Sequence, residues 1–378
     1  MKDSLISTRN NLEATVYSRV LKPAFFRQDP ELVHDNISNI GEMLGRTGFG
    51  RGVTRAAFGY RHPMLEQTIL GIRFVNPIGL SAGFDKNARL VDFIPAVGFG
   101  FTEIGSVTGE ACEGNPKPRL WRLPKSQSLV VNYGLMNDGA EAVAKRLQGR
   151  NFAIPVGISV AKTNSETTVD EAAGVADYVK AYRATSGVGA YATINISCPN
   201  TFGGQPFTNP SRLENLLSAI DRQEHTKPVF IKFSPDLSDI ELDHLLEVAF
   251  AHNIEGFICS NLTKPRDNPH ILDADVPPSG GMSGKVQQEM SDEQIRRVYA
   301  RVGRTHVVMG CGGVFTAEDA YRKIRLGASL DSANYGDDLS GPTDDFHDQS
   351  GVSKIAKTRW IQSTQRSSGR RLKITLRF

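Results

Sequence analysis

The sequence has few cysteines, no long apolar run and no large excess of charge. Its 378 residues include four cysteines and no Cys-x-x-Cys pair, which argues against a zinc site or a disulfide framework and favours a reducing compartment. The four are Cys112, Cys198, Cys259 and Cys311. Since no apolar run reaches about 18 residues, we expect no transmembrane helix, and the first segment lacks the apolar core of a signal peptide. The net charge of +3, with acidic and basic residues interleaved, is not the pattern of a nucleic-acid-binding protein.

What the sequence does have is a series of short apolar runs, each ending in Gly, Ser, Asn or Lys and followed by a helical pattern. They lie at 76–86, 99–108, 153–162, 191–200, 228–237, 255–263 and 305–314. Buried strands that alternate with helices predict parallel pairing, because parallel strands need crossover helices and are covered on both faces. We therefore expect an eight-stranded (β/α) barrel, with a doubly wound open sheet as the alternative.

Residues 12–60 precede these runs and follow a different pattern. Apolar and aromatic residues recur at helical spacing and are interrupted at Pro23, at Pro30 and at several glycines. The pattern predicts a helical cap on the core, and the alternative is a pair of helices that lies on a membrane surface or beside a ligand channel.

Polar residues follow the predicted strands at the end where (β/α) barrels build their active sites. They are Lys86, Ser106, Asn195, Cys198, Asn200, Lys232, Ser260, Asn261, Gly312 and Gly313. Two lysines with several amides and no carboxylate cluster indicate binding of an electron-rich planar ligand and an anion, rather than metal chemistry. The Gly-Cys-Gly-Gly turn after the seventh strand resembles a phosphate-binding loop, because small residues let backbone N–H groups approach an anion. We therefore expect a phosphorylated cofactor.

Cys198 lies between amides in the segment NISCPNT. A free cysteine is usually a small buried apolar residue. The proline and asparagine that follow place this one beyond the strand, where a thiolate could act as a base. Cys259 and Cys311 have structural positions by contrast, and Cys112 lies in a loop.

Taken together, these residues resemble the class 2, quinone-dependent dihydroorotate dehydrogenases over residues 17–330. The motifs that carry the resemblance are RQDPELVH, NPIGLSAGFDKN, TEIGSVT, EGNPKPRLWRLP, NISCPNT, IKFSPDL, GGMSGK and VMGCGGVFTAEDAYRKIRLGA. The resemblance implies a (β/α)8 TIM barrel that binds FMN, oxidises dihydroorotate to orotate in pyrimidine (UMP) biosynthesis and passes the electrons to a membrane quinone. It also implies peripheral attachment to the cytoplasmic side of the cell membrane through the N-terminal helices.

The resemblance also implies roles for individual residues. The catalytic set is Cys198 as the base, with Lys86 and Lys232. The FMN contacts are Ala82, Gly83, Lys86, Ser106, Ser159, Asn195, Lys232, Ser260, Gly284, Gly312 and Gly313. The substrate contacts are Lys86, Asn132, Asn195, Asn200 and Asn261, and the polar end of the quinone tunnel is formed by His34 and Arg122.

Three positions depart from the class 2 pattern. Cys198 stands where the class has a serine base, and because a thiol ionises more easily than a hydroxyl, we expect a lower apparent pKa for activity than in the serine enzymes. Ser159 replaces a flavin-contacting asparagine. In the substrate loop NYGLMNDG, Asn132 and Asn137 keep the spacing of two amides, although an alternative alignment shifts them by one residue.

Two alternative functions follow from these departures. Cys198 favours a class 1-type soluble dihydroorotate dehydrogenase that uses fumarate or NAD, and the N-terminal helices oppose it. A catalytically impaired flavin-binding remnant is the second alternative, because the C-terminus is unusual.

After Leu330 the family continues with an apolar strand of the type V-Q-L-Y-T-G, whereas this chain has DSANYGDD. Reading plausible codons one base out of frame permits I-Q-L-I-T-G, so we interpret the C-terminus as frame-shifted. We expect the eighth strand and the last helix to be lost, with poor folding and weak FMN binding. The predicted division is 1–60 as a membrane-associated quinone-tunnel segment, 61–330 as the FMN-binding barrel and 331–378 as an aberrant, disordered tail.

Overall fold

The computed structural model describes residues 8–333, except residues 11 and 14. The strands are β1 Gln67–Ile69, β2 Ile72–Phe74, β3 Ile78–Leu80, β4 Phe101–Val107, β5 Leu120–Leu123, β6 Ser128–Val131, β7 Val156–Val160, β8 Tyr191–Asn195, β9 Val229–Lys232, β10 Gly256–Cys259, β11 Gly281–Gly284, β12 Val307–Cys311 and β13 Leu330–Ala333. A closed parallel barrel has the order β3, β4, β7, β8, β9, β10, β12, β13, and β13 returns to β3. The predicted (β/α) barrel is confirmed, and the open-sheet alternative is wrong.

The helices cover the barrel and precede it. They are α1 Lys22–Phe25, α2 Pro30–Gly45, α3 Gly48–Phe58, α4 Ile94–Val97, α5 Ala140–Leu147, α6 Glu171–Thr185, α7 Pro210–Asp221, α8 Asp239–Phe250, α9 Gln288–Val302 and α10 Ala317–Leu326, with a π-helical segment at Tyr17–Leu21. Their apolar faces and the outer faces of the strands form one large core, in which Ile158, Leu216 and Leu245 are fully buried. The helices expected within residues 12–60 are present.

The eighth strand, β13, corrects the sequence-based expectation that it is lost. Leu330 is in register with Met309 of β12, and Asp331 is in register with Ile78 of β3. The expectation was wrong for these residues because strand pairing uses backbone hydrogen bonds, which do not require apolar side chains. Strand β13 therefore includes the first three residues of the predicted tail. The rest of that tail and the last helix lie outside the described residues.

The inside of the barrel is filled near the amino ends of its strands. Phe101, Tyr191, Phe230 and Leu330 pack together there, and Phe74 joins them from the antiparallel hairpin β1–β2. The rings of Phe74 and Phe101 meet edge to face at 5.6 Å. Since this end is packed, the carboxyl ends of the strands are left to form the ligand site.

A second sheet, which the sequence did not predict, lies beside the carboxyl ends of the barrel strands. Strands β5, β6 and β11 pair antiparallel, with Val131 of β6 opposite both Leu120 and Gly281. The chain leaves this sheet at Val131 and enters the segment of Tyr133, which lines the cavity described below. The small sheet therefore positions one wall of the candidate site.

Side-chain caps fix where helices α2 and α3 begin, and a glycine allows α2 to pack closely. The Asp29 side chain accepts a hydrogen bond from Leu32 N at 2.9 Å, and Thr47 Oγ1 accepts one from Gly50 N at 2.9 Å. A Cβ on Gly45 would lie 3.1 Å from the backbone nitrogen of Phe93. The small residue lets α2 approach the barrel closely.

Candidate active site

The carboxyl ends of the barrel strands surround one cavity that opens to solvent. Of the predicted site residues, the structure brings together Ala82, Gly83, Lys86, Ser106, Asn195, Cys198, Asn200, Lys232 and Asn261 on its wall. Several other wall residues had no individual role predicted from the sequence, although the loop that contains four of them had been assigned to the substrate; they are Gly105, Val131, Tyr133, Gly134, Leu135, Met136 and Leu262. Most of these residues belong to the loop after β6, whose position depends on the unpredicted small sheet.

Lys86 follows β3 and is buried, with 9% of its surface exposed. Its ammonium lies 4.0 Å from the ring centroid of Tyr133. Burial lowers the pKa of Lys86 to about 8, and the nearby charges of Asp35 and Glu31 raise it while Arg119 lowers it. Lys86 is therefore a cation held in a poorly hydrated place, where it interacts strongly with an anionic ligand.

Three polar side chains form a connected group on the cavity wall. Asn195 Nδ2 donates to Ser106 Oγ at 2.8 Å, and Asn261 Nδ2 donates to Asn195 Oδ1 at 2.9 Å. Ser159 is not on the wall, but its hydroxyl is 2.7 Å from that of Ser106. The hydrogen bonds fix the orientation of both amides, so a planar ligand meets preset donors and acceptors.

Lys232 ends β9 and is in register with Asn195 of β8. It is buried, with 3% of its surface exposed. Glu103 lies buried inside the barrel, where burial raises the pKa of its carboxyl group and the charge of Lys232 opposes that rise. Thr193 Oγ1 donates to Glu103 Oε2 at 3.0 Å. Glu103 had no signal in the sequence, because it lies in the middle of an apolar strand.

Cys198 lies in the loop after β8 and is half-buried on the cavity wall. Burial raises the pKa of its thiol to about 11, although a hydrogen bond from the Asn200 backbone and the charges of Lys162 and Lys232 lower it. The thiol is thus harder to ionise than a free cysteine. The pH dependence that we expected from its ordinary pKa therefore shifts towards alkaline pH.

Asn132 and Asn137 have different environments. Asn132 Oδ1 accepts from Asn115 Nδ2 at 3.0 Å, next to the cavity wall but not on it. Asn137 is buried, donates to Thr108 Oγ1 at 2.8 Å, and accepts from the backbone of Gly139 at 2.8 Å. The amide of Asn137 is therefore engaged in holding its own loop.

Ser260, Gly284, Gly312 and Gly313 are separate from the cavity wall and lie around β10, β11 and β12. Gly312 and Gly313 have φ angles of 108° and 70°, which favour glycine. A Cβ there would lie 2.8 Å from the Gln287 side chain and 2.5 Å from Gln288. Neither glutamine was predicted from the sequence, although both lie against this turn.

His34 and Arg122 belong to the helical cap and the small sheet. His34 is buried in α2, and its Nε2 lies 3.2 Å from the carbonyl oxygen of Phe84, next to Gly83 of the cavity wall. Burial and the charge of Lys86 lower the pKa of His34. Arg122 donates to the Gln28 carbonyl at 3.0 Å. His34 therefore connects the cap to the site.

Metal-binding clusters and membrane-spanning helices are both absent from the described residues, 8–333 with gaps at 11 and 14. These residues contain no group of three or more His, Cys, Asp or Glu side chains arranged to hold a metal ion. They also contain no helix that is long and apolar enough to cross a membrane.

Comparisons with known proteins agree on one family. A family model described as "Dihydroorotate dehydrogenase" matches residues 64–337. The dihydroorotate dehydrogenase (quinone) of Gloeobacter violaceus is 37% identical over 314 residues, which cover 82% of this chain and 87% of the relative. The protein of the same name from Streptomyces coelicolor is 38% identical over 325 residues, which cover 83% and 88%.

A solved structure resembles most of the chain. The crystal structure of DHODH in complex with ferulenol from Eimeria tenella superposes with a TM-score of 0.75 at 26% identity, and the match covers 90% of this chain and 95% of that chain. The family match spans most of the barrel, and the curated relatives exceed one third identity over more than four fifths of the chain. The chain therefore belongs to the dihydroorotate dehydrogenase family, among its class 2, quinone-named members.

Proposed function

We propose that this protein oxidises dihydroorotate to orotate, with FMN as the prosthetic group and a membrane quinone as the electron acceptor, in pyrimidine biosynthesis. One observation carries the proposal: two buried lysines, Lys86 and Lys232, line one cavity with Cys198 and with amide side chains. The quinone name of the relatives supports the acceptor.

The groups present fit FMN. When bound, the flavin supplies hydride acceptance. Ala82, Gly83, Lys86, Ser106, Asn195 and Lys232 would hold the ring, with Ser159 behind Ser106, and Ser260, Gly284, Gly312 and Gly313 would hold the phosphate end. The tight backbone at Gly312 and Gly313 suits an anion bound by N–H groups. Within residues 8–333, the buried Gln287 Oε1 has no hydrogen-bond partner, which suits a ligand that brings a donor.

Dihydroorotate is an anion whose ring carries amide-like groups. The cavity wall offers a lysine for the negative charge and asparagine side chains for the ring. Lys86 would pair with its carboxylate, Asn195, Asn200 and Asn261 would bind its ring, and Asn132 would support the loop at its edge. Cys198 is the base that takes the proton from ring carbon 5. The charge of Lys86 and Lys232 stabilises the electron density that develops as that proton leaves.

The N-terminal helices support a quinone site and peripheral membrane contact. Helices α2 and α3 expose large apolar side chains, and Ile40, Met43 and Phe49 have 53%, 61% and 83% of their surface exposed. Such a face is typical of proteins that bind a membrane interface. His34 and Arg122 would form the polar end of a path from this face to the flavin.

The test separates the two half-reactions. Purified protein loaded with FMN is mixed anaerobically with dihydroorotate, and bleaching of the flavin absorbance is followed. A short-chain quinone, fumarate or NAD is then added, and we expect reoxidation by the quinone alone. His34→Ala is expected to slow reoxidation and to leave bleaching unchanged.

Each alternative gives a distinct result. Reoxidation by fumarate or NAD would support the class 1-type enzyme that Cys198 favours. Absence of bleaching in a flavin-loaded protein would support the impaired remnant. Sedimentation with anionic vesicles tests membrane contact through the cap. We expect the wild type to sediment more than a variant with Phe49→Ser and Met43→Ser. An equal or smaller sedimenting fraction for the wild type would contradict that contact.

A further inference from the structure

Lys162 is a buried lysine that the function proposed above does not use. It follows β7 and has 3% of its surface exposed. Its ammonium donates to the Phe202 carbonyl at 2.9 Å and to Thr168 Oγ1 at 3.4 Å. Phe202 lies in the loop that begins at Cys198, so Lys162 is bonded to the segment that carries the base.

The same lysine lies beside Cys198. Both residues line a small second cavity, with room for about one water molecule, that also includes Tyr178 and Asn195. Cys198 and Asn195 belong to the walls of both cavities. Cys198 therefore borders both the larger cavity and the small cavity that Lys162 lines.

The ammonium of Lys162 has no carboxylate within ion-pair distance among residues 8–333. Asp177 is the acid that influences it, and its carboxylate accepts from Thr163 N at 2.6 Å and from Gly109 N at 3.2 Å. A thiolate at Cys198 would place a negative charge beside this ammonium. Because a buried charge is stabilised by an opposite one, each group favours the charged form of the other.

The other groups that face Cys198 do not replace Lys162. The charges of Lys232 and Lys264 also act on the thiol, and the Asn200 backbone donates a hydrogen bond to it. Lys162 is the charge that acts on both the thiol and its loop. Asn164 completes the loop contact, because its Oδ1 accepts from Phe202 N at 2.7 Å.

We propose that Lys162 is a positioning residue for Cys198, which fixes the loop of the base and stabilises its thiolate. This inference rests on the proposed function only in taking Cys198 as the base. The proton removed from substrate carbon 5 passes to the thiolate sulfur, and Lys162 keeps its own proton. The lysine therefore acts through the cysteine and touches neither substrate nor flavin.

The test measures the thiol directly. The rate of Cys198 alkylation by iodoacetamide is followed against pH by mass spectrometry in the full chain loaded with FMN, and Cys198→Ser identifies the labelled site. In Lys162→Met we expect the alkylation midpoint to rise by about one pH unit, which is about a tenfold loss of rate below the midpoint. Lys162→Arg is expected to restore the rate.

Lys227→Met is the matched control. Lys227 is also buried and donates to backbone carbonyls, at 2.7 Å in the case of Thr185, but it does not line either cavity. Its removal is expected to leave Cys198 alkylation unchanged. An equal effect of the two Met variants, or no effect of Lys162→Met, would overturn the proposal.

A second variant tests the proposal if Lys162→Met does not fold. Lys162→Gln keeps a donor for the Phe202 carbonyl and removes the charge, so it too is expected to raise the midpoint. Unchanged alkylation in a folded Lys162→Gln protein would also overturn the proposal. Alkylation of Cys198 does not require dihydroorotate. Lack of flavin bleaching in the wild type would therefore contradict the proposed function, while the alkylation rates would still test the role of Lys162.

Discussion

The ammonium of Lys86 and the guanidinium of Arg119 both lie against the ring of Tyr133, at 4.0 Å and 5.1 Å from its centroid. Lys86 lines the candidate active site, whereas Arg119 is bonded to Glu31 of the N-terminal helix α2. One aromatic ring therefore contacts both the cation that would bind substrate and the ion pair that anchors the cap. The electron-rich ring stabilises both positive charges.

Orotate binding should depend on the protonation of Lys86. Burial lowers the pKa of Lys86 to about 8, so the cation is present below that pH and is lost above it. We expect the affinity for orotate, an anion, to fall as pH rises through about 8. Titration of the flavin spectrum with orotate at several pH values measures this.

Tyr133 should set the midpoint of that fall. A cation–π contact contributes about 1 kcal/mol, so Tyr133→Leu should move the midpoint down by up to about one pH unit, while Tyr133→Phe should leave it in place. Affinity that is independent of pH in the wild type would contradict the role of Lys86. Equal midpoints in the Leu and Phe variants would contradict the role of the ring.

Cys198 should make flavin reduction faster as pH rises towards about 8, where Lys86 begins to lose its charge. Burial raises the pKa of its thiol to about 11, so the base form increases up to that pH. Cys198→Ala should lower the rate of flavin reduction by about 10²- to 10⁴-fold. Cys198→Ser should move the rise to still higher pH. Stopped-flow bleaching measures each profile, and a serine variant with the wild-type profile would exclude Cys198 as the base.

The buried ion pair between Glu31 and Arg119 should be important for stability. Their side chains have 5% and 8% of their surface exposed, and Arg119 also donates through Nε at 2.9 Å. Glu31→Gln leaves a buried arginine without its partner charge, which costs about 3–5 kcal/mol in the free energy of unfolding. Urea denaturation measures the loss. Glu66→Gln, which breaks the exposed pair with Arg73, is the control and should change little.

Asp331 should destabilise the barrel above acidic pH. Its carboxylate is fully buried, and within residues 8–333 no side chain donates a hydrogen bond to either oxygen. The nearby Lys323 donates instead to Asp292 at 2.7 Å. Burial raises the pKa of Asp331 from 3.8 to about 8. The folded state therefore keeps a proton that the unfolded state loses, and stability falls as pH rises from about 4 to about 8.

Replacing Asp331 should remove this pH dependence. At pH 8.5, Asp331→Asn and Asp331→Val should each be more stable than the wild type by a few kcal/mol, on the order of 3–5, and the difference should shrink towards pH 4. Urea denaturation at several pH values measures it. Asp275→Asn, an exposed acid, is the control. A constant difference across this range would contradict a titrating Asp331.

The sequence predicted the barrel well because each strand is a short apolar run that ends in polar residues. The ends of those runs placed Lys86, Ser106, Asn195 and Lys232 around one cavity, since parallel strands end on the same side. Tyr133 could not be predicted in the same way. Its ring faces Lys86 because the small antiparallel sheet pairs strands that are distant in sequence, and no local pattern specifies that pairing.

The prediction that the eighth strand is lost was wrong for a different reason. Hydropathy suggested that a segment with Asp331 and Ser332 could not lie in a barrel. In the structure, Leu330 packs inside, while Asp331 lies opposite Gly310, where a Cβ would be 2.8 Å from its carboxylate. The space beside Gly310 accommodates the Asp331 carboxylate, although a buried carboxylate without a paired charge is unfavourable there. Pairing with two neighbouring strands outweighs the local preference.

Closure of the barrel by β13 also has a consequence for synthesis of the chain. The strand pairs with β3, so the first and last strands of the barrel must meet. Until the ribosome has made Leu330–Ala333, β3 and β12 each have an unpaired edge that can join another chain. Closing such a distant pair is slow. Association between nascent chains therefore competes with folding until the eighth barrel strand emerges, and the turn at Gly312 acquires its neighbouring strand only then.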